Sequence, residues 1–295
     1  MARVRTRCGR ISFSAQGTGF PLVLLHANLC DRHCFDPIIP ALAERYRVIA
    51  VDWPWHGESD SPPPPLEAGA GLFADVLADF AEALALPPAA FIGSSVGGFA
   101  AARLAITHPE RVAGLVLVNS GGFIPANLVT RAFCLLMGTP PLTRVLLPPF
   151  IRLVMRPKTG DDREVVRRAA ARARTTEGTR TGAALWRSFA REEHDLRPVA
   201  AQLRAPTLIV WGSRDIGVPV RAGRASHAAI AGSRLEVLDT GHIPFSSDPL
   251  AFLALVVPFI DSAGRASGDF GAGHDDAGER MTVEPLCPEK DHLPR

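Results

Sequence analysis

The segment Gly93-Ser94-Ser95-Val96-Gly97 decides how this chain is read. Before it, Phe91 to Gly93 is a short apolar run that predicts a buried strand; after it, Gly97 to His108 has helix-like patterning. A Gly-x-Ser-x-Gly between strand and helix puts its central serine on a sharp, strained turn. The turn crowds the backbone, so a side chain at either flanking glycine would collide. A helix that starts just past the serine also directs its N-terminal dipole at negative charge developing there. Spacing selects Ser95 over Ser94 as the candidate nucleophile.

A serine hydroxyl is a poor nucleophile near neutral pH and needs an adjacent base. Of nine histidines, His242 is best placed, in Asp239-Thr240-Gly241-His242-Ile243-Pro244, after a predicted strand and before the last predicted helix. An imidazole base in turn needs an acceptor that fixes its tautomer and stabilises its charged form. Asp215, in Trp211-Gly212-Ser213-Arg214-Asp215, follows the preceding predicted strand in the same way. Nucleophile, acid and base then come in the order Ser, Asp, His at three strand ends, a chain order known to accompany a nucleophile elbow of this kind.

The rest of the chain supplies the matching rhythm. Pro21 to His26, Arg47 to Asp52 and Val112 to Val118 read as buried strands, and Phe35 to Glu44 and Gly71 to Leu86 as helices. The alternation resumes at Thr207 to Trp211 and Arg234 to Leu238, with a helix near Leu250 to Ile260. It predicts an α/β fold, a mostly parallel sheet with helices on both faces. From Phe123 to Ala200 there is helical patterning, with paired prolines and many arginines, and no convincing strand. That predicts an all-helical insertion, with a surface helix over Asp161 to Thr175 and acidic residues at its start. The predicted organisation is a core of residues 1–122 and 201–262, an insertion of residues 123–200 and a disordered tail of residues 263–295, poor in apolar residues. His274 and His292 fall in that tail and are given no catalytic weight.

Composition narrows the function classes. A chain of 295 residues, 47% hydrophobic, can bury a large core, and a formal charge of +2 is too small to predict a nucleic-acid or acidic-lipid partner. Five scattered cysteines do not make a disulfide framework. Cys30, His33 and Cys34 cluster, but with no second cluster they form a poor zinc site, so no metal is expected. No apolar h-region follows the basic N-terminus, which argues against a signal peptide. No membrane span is expected, because the nearest approach, Phe133 to Met155, is interrupted by four prolines and by arginines. A soluble, cytoplasmic protein is the expectation.

Several further segments carry a resemblance. Leu24-Leu25-His26-Ala27-Asn28, Asp52-Trp53-Pro54-Trp55-His56-Gly57-Glu58-Ser59, His108-Pro109-Glu110-Arg111-Val112 and Pro206 to Gly212 before Asp215 all match one family's habits. With the triad they make residues 10 to 262 resemble the α/β-hydrolase superfamily, in its serine-nucleophile branch with a helical cap. The resemblance implies an oxyanion hole from the backbone N–H groups of Val96 and Asn28, structural roles for His26 and His56, and a cap formed by the insertion. Ala27 stands where the family usually has glycine, which predicts an altered oxyanion loop, since alanine takes positive φ only at a cost. Some relatives carry the acid after the strand that here ends at Asn119; that residue is uncharged, so Asp215 stands. Serine at 95 argues against the aspartate-nucleophile epoxide hydrolases and haloalkane dehalogenases.

The implied chemistry is acyl transfer to water through an acyl-enzyme on Ser95, with no metal or organic cofactor and a small-molecule substrate. Apolar residues near the triad, Leu29, Phe123, Ile124, Val218 and Ile243, are the candidate pocket, and small, fairly apolar carboxylic esters are the expected substrates. The alternatives are a C–C bond, lactone or amide hydrolase, a cofactor-free haloperoxidase-like enzyme, and a ligand-binding receptor of the same fold.

Overall fold

The computed structural model describes residues 2–125 and 127–266. Eight strands form one sheet: β1 (Ala2–Thr6), β2 (Gly9–Gln16), β3 (Pro21–Leu25), β4 (Arg47–Val51), β5 (Ala89–Ser94), β6 (Val112–Val118), β7 (Thr207–Gly212) and β8 (Arg234–Leu238). Their order is β1-β2-β4-β3-β5-β6-β7-β8. From β4 across to β8 all pairings are parallel, and β1 and β2 add an antiparallel edge. The six strands expected from apolar runs are those that form the parallel part. β3, β5 and β7 are buried at every position, which is why they read as unbroken apolar runs rather than alternating ones.

The β1–β2 hairpin was not foreseen. Its outer strand, Ala-Arg-Val-Arg-Thr, is largely exposed and carries arginine, a composition that protects a sheet edge and hides the strand signal. In β2, Ile11 and Phe13 join the hydrophobic core, and Ser12 between them is buried.

Helices cover both faces. Along β3, Val23 and Leu25 point to one core, built with Phe73, Phe80 and Phe99. Leu22 and Leu24 point to the other, with Phe35, Phe252 and Val256. This is the period-two alternation of a strand buried on both sides. The covering helices are α1 (Ile39–Ala43), α2 (Ala70–Ala83) and α3 (Val96–Thr107). Between β6 and β7 the chain forms α4 (Leu128–Met137), α5 (Pro140–Met155), α6 (Gly160–Arg174) and α7 (Thr176–Ser188), with no strand among them. Thr159 opens α6 through a capping box with Asp162. Pro148 and Pro149 lie inside α5, which continues through them.

After β7 come α8 (Val220–Ala229), α9 (Pro244–Ser247) and α10 (Pro249–Ala266). α10 runs four residues beyond the boundary expected at 262, because Ala263 is buried and occupies the space above Gly114 of β6. The rest of the predicted tail, from residue 267, lies outside the described residues, His274 and His292 included. By length and composition α10 could cross a membrane, with mean hydropathy 1.4 over 18 residues. Here Phe252, Val256 and Ile260 are fully buried in the second core, each contributing about 1.5–3 kcal/mol by burial.

The strand order reverses at β3: β4 pairs on one side of it and β5 on the other. In open α/β sheets the crevice at the carboxyl ends of strands flanking such a switch is where ligands bind. The turn after β5 and the loop after β3 meet there.

Candidate active site

Ser95 caps α3 with φ 55° and ψ −113°. A non-glycine residue held in such a region costs about 1–3 kcal/mol and persists only where its surroundings enforce it. Its N–H donates to Val118 O at 3.0 Å, and its carbonyl accepts from Gly121 N–H at 3.0 Å, which ties the turn to the end of β6. A Cβ on Gly93 would sit 2.5 Å from Gly97 O, and one on Gly97 only 2.3 Å from Leu25 O. The crowding inferred from the sequence is therefore backbone against backbone.

Asp215 follows β7 and is buried. Its Oδ1 accepts from Gly217 N–H at 2.8 Å and Val218 N–H at 3.0 Å. Its Oδ2 accepts from Asn119 Nδ2 at 2.6 Å and lies 2.5 Å from His242 Nδ1. A carboxylate only accepts, so Nδ1 carries the proton and Nε2 is left as the basic nitrogen. His242 follows β8, and its backbone N–H donates to Val154 O of α5 at 3.1 Å. Ser95 and His242 line one small cavity of about 70 Å³ together with Asn28. Among the described residues no hydrogen bond joins Ser95 Oγ to His242; such bonds are often long until substrate tightens them.

Asn119 was considered in the sequence only as a place where an acid was lacking. It has φ 44°, accepts from Gly212 N–H at 3.1 Å and donates to Asp215. Asn119 thus holds Asp215, which follows the neighbouring strand. The signal that could have found it is strand adjacency, since β6 pairs with β7 up to Val118 and Val210.

The loop after β3 takes its positive φ at a position the sequence did not single out for it. Ala27 lies outside the left-handed region, and the strained residue is Leu29, at φ 65°. Leu29 N–H donates to His56 Nε2 at 3.2 Å, while His56 Nδ1 donates to Pro54 O at 2.9 Å. His26 Nδ1 donates to Ala27 O at 2.7 Å, and its Nε2 accepts from Trp53 N–H at 3.2 Å. Burial holds both imidazoles below the usual histidine range, His56 well below it. Both brace the loop as neutral groups, and neither lies in the cavity with Ser95. Arg32, buried, pairs with Asp52 behind them.

A larger cavity of about 590 Å³ opens onto Ser95, Val96 and Asn28. Its apolar lining includes Phe133 from α4 and Trp186 from α7, with Phe189 just beyond; sequence reasoning missed all three. Of the expected pocket residues, Ile124 lines this cavity, Leu29 the smaller one and Val218 both. Phe123 and Ile243 line neither. They are fully buried, Phe123 in the core with Phe99 and Ile243 in the core with Phe245, so nearness in sequence to the site did not give side-chain direction. Among the described residues no three His, Cys, Asp or Glu side chains are grouped to hold a metal ion.

Residues 21–249 match the family model of the alpha/beta hydrolase fold. The chain is 31% identical over 247 residues to a pimeloyl-[acyl-carrier protein] methyl ester esterase of Neisseria meningitidis, covering 81% of this chain and 76% of that one. It is 30% identical over 224 residues to haloalkane dehalogenase 2 of Mycobacterium bovis, covering 70% and 76%. Among solved structures, a bacterial membrane phospholipase A superposes with TM-score 0.74 at 26% identity, over 89% of this chain and 86% of that one. Like these hydrolases, the chain belongs to the α/β-hydrolase fold family.

Proposed function

We propose that the protein is a serine hydrolase that cleaves small, apolar carboxylic esters through an acyl-enzyme on Ser95. The observation that carries this reading is the 2.5 Å Asp215–His242 contact, with Ser95 on its strained turn lining the same cavity as His242. His242 Nε2 takes the Ser95 Oγ proton as Oγ bonds to the ester carbonyl carbon, and the carbonyl oxygen becomes an oxyanion. The N–H groups of Val96, at the head of α3, and of Asn28 receive that charge. Collapse breaks the bond to the alcohol, which leaves with the proton from His242. A water molecule, deprotonated by His242, then attacks the acyl-enzyme, releasing the acid and restoring Ser95.

α4–α7 form the cap in this reading. The Val154 carbonyl ties α5 to the base loop, and Phe133 and Trp186 give the larger cavity an apolar wall suited to an acyl or alkyl group. Ester chemistry agrees with the similarity to the Neisseria meningitidis methyl ester esterase. Steady-state assays with p-nitrophenyl esters from acetate to octanoate, on wild type and Ser95→Ala, test the reading. Turnover that is lost in the variant supports it; undiminished turnover removes Ser95 from the mechanism, and a single turnover by wild type points to a receptor.

A further inference from the structure

The outer face of α4 and α5 is apolar and uncovered. Among the described residues twelve large hydrophobic side chains are exposed, and eight of them lie between 128 and 153. On α4 they are Leu128, at 86% exposure, with Val129, Leu135 and Leu136; on α5 they are Leu142, Val145, Leu146 and Leu153. With Pro149, the α5 residues recur at i, i+3, i+4, i+7 and i+11, one stripe along a helix. The opposite side of α5, with Leu147, Ile151 and Val154, is buried. The helix is apolar on two faces and only one is packed. An apolar face of this kind marks an interaction surface.

Charge, shape and position indicate what covers it. From residue 112 to residue 160 the chain contains no aspartate or glutamate; Arg131 pairs with Glu192 and Lys158 with Asp239, whereas among the described residues Arg144 and Arg152 of α5 and Arg156 just after it have no acidic partner. The overall charge of +2 averages this asymmetry away. Two copies meeting through this face would set like charges against each other, whereas anionic lipid headgroups attract them. α4 and α5 meet at 97°, and neither reaches the roughly 20 residues of a span. Apolar helices flanked by basic residues suit the boundary between headgroups and acyl chains. Val129 and Phe133 of α4 also line the cavity that leads to Ser95, as does the exposed Ile216. One helix therefore carries both the uncovered outer surface and part of the route inward.

We propose that α4 and α5 dock on an anionic lipid bilayer surface, with the mouth of the larger cavity facing the lipid. Docking does not depend on the ester-hydrolase reading; only the delivery of acyl esters from the bilayer does. The test is co-sedimentation of the full chain with phosphatidylcholine vesicles, with and without phosphatidylglycerol. Binding is expected to phosphatidylglycerol vesicles, weakening as salt rises. In the double variant Val145→Glu, Leu146→Glu it should fall by about tenfold or more, with unchanged melting temperature and unchanged turnover of a soluble short-chain p-nitrophenyl ester. Ser95→Ala should bind vesicles like wild type, so a failure of the hydrolase reading appears in turnover alone. Wild type that ignores the anionic vesicles, or equal binding by the double variant, overturns the proposal. A dimer in light scattering that the double variant abolishes would overturn it too, assigning the face to a second copy.

Discussion

Asp215 is buried, and its two oxygens meet three N–H donors and one imidazole, so its polar atoms are satisfied within the fold. Removing one donor should reach the chemistry through the imidazole. Asn119→Ala is expected to lower kcat by about 10- to 100-fold with little change in KM, because a hydrogen bond to a charged group contributes about 1.5–3 kcal/mol. A variant with wild-type kcat would make Asn119 a purely structural residue. The grouping of Ser95, Asp215 and His242 was legible in the sequence because chain order and strand ends constrain it. Asn119 was not, since its part depends on a carboxamide reaching across from β6 to β7, which no spacing along the chain reports. The positive φ at Leu29 escaped notice for the same reason: residue type indicates which positions tolerate positive φ, not where the chain needs it.

At the scale of elements, the turn between β5 and α3 depends on close backbone approach. Gly97→Ala would push a Cβ to 2.3 Å from Leu25 O, so loosening between α3 and β3 is expected, with a loss of about 1–3 kcal/mol in denaturant unfolding. Wild-type stability in that variant would show that the crowding is not real. The insertion should govern chain-length choice. Trp186 lines both cavities and packs edge-on against Phe133, so Trp186→Ala is expected to raise kcat/KM for octanoate relative to butyrate by about tenfold; an unchanged ratio would separate the insertion from specificity. Buried parallel strands and helical periodicity were readable because burial on both faces leaves unbroken apolar runs. β1 escaped notice because an exposed strand rich in arginine carries no such run, and the outward stripe of α5 was hidden because its spacing equals that of a core face.

Across the whole molecule, two neutral histidines sit beneath the site where protonation is opposed by burial. His26 and His56 have folded-state values below the ordinary 6.5, so the unfolded chain binds more protons than the folded one as pH falls below about 6.5. Their contribution to stability is complete above that value and is lost progressively as pH drops toward their folded values. The melting temperature should therefore fall from pH 6.5 downward, by less in His56→Asn than in wild type, as read by calorimetry; a flat profile over that range would contradict the neutral bracing role. The central claim is that Ser95 is the nucleophile, and covalent capture tests it most directly. A fluorophosphonate probe followed by peptide mass mapping should place one adduct on Ser95, abolished in Ser95→Ala and slowed in His242→Ala. An adduct on another serine, or labelling that survives in Ser95→Ala, would contradict it.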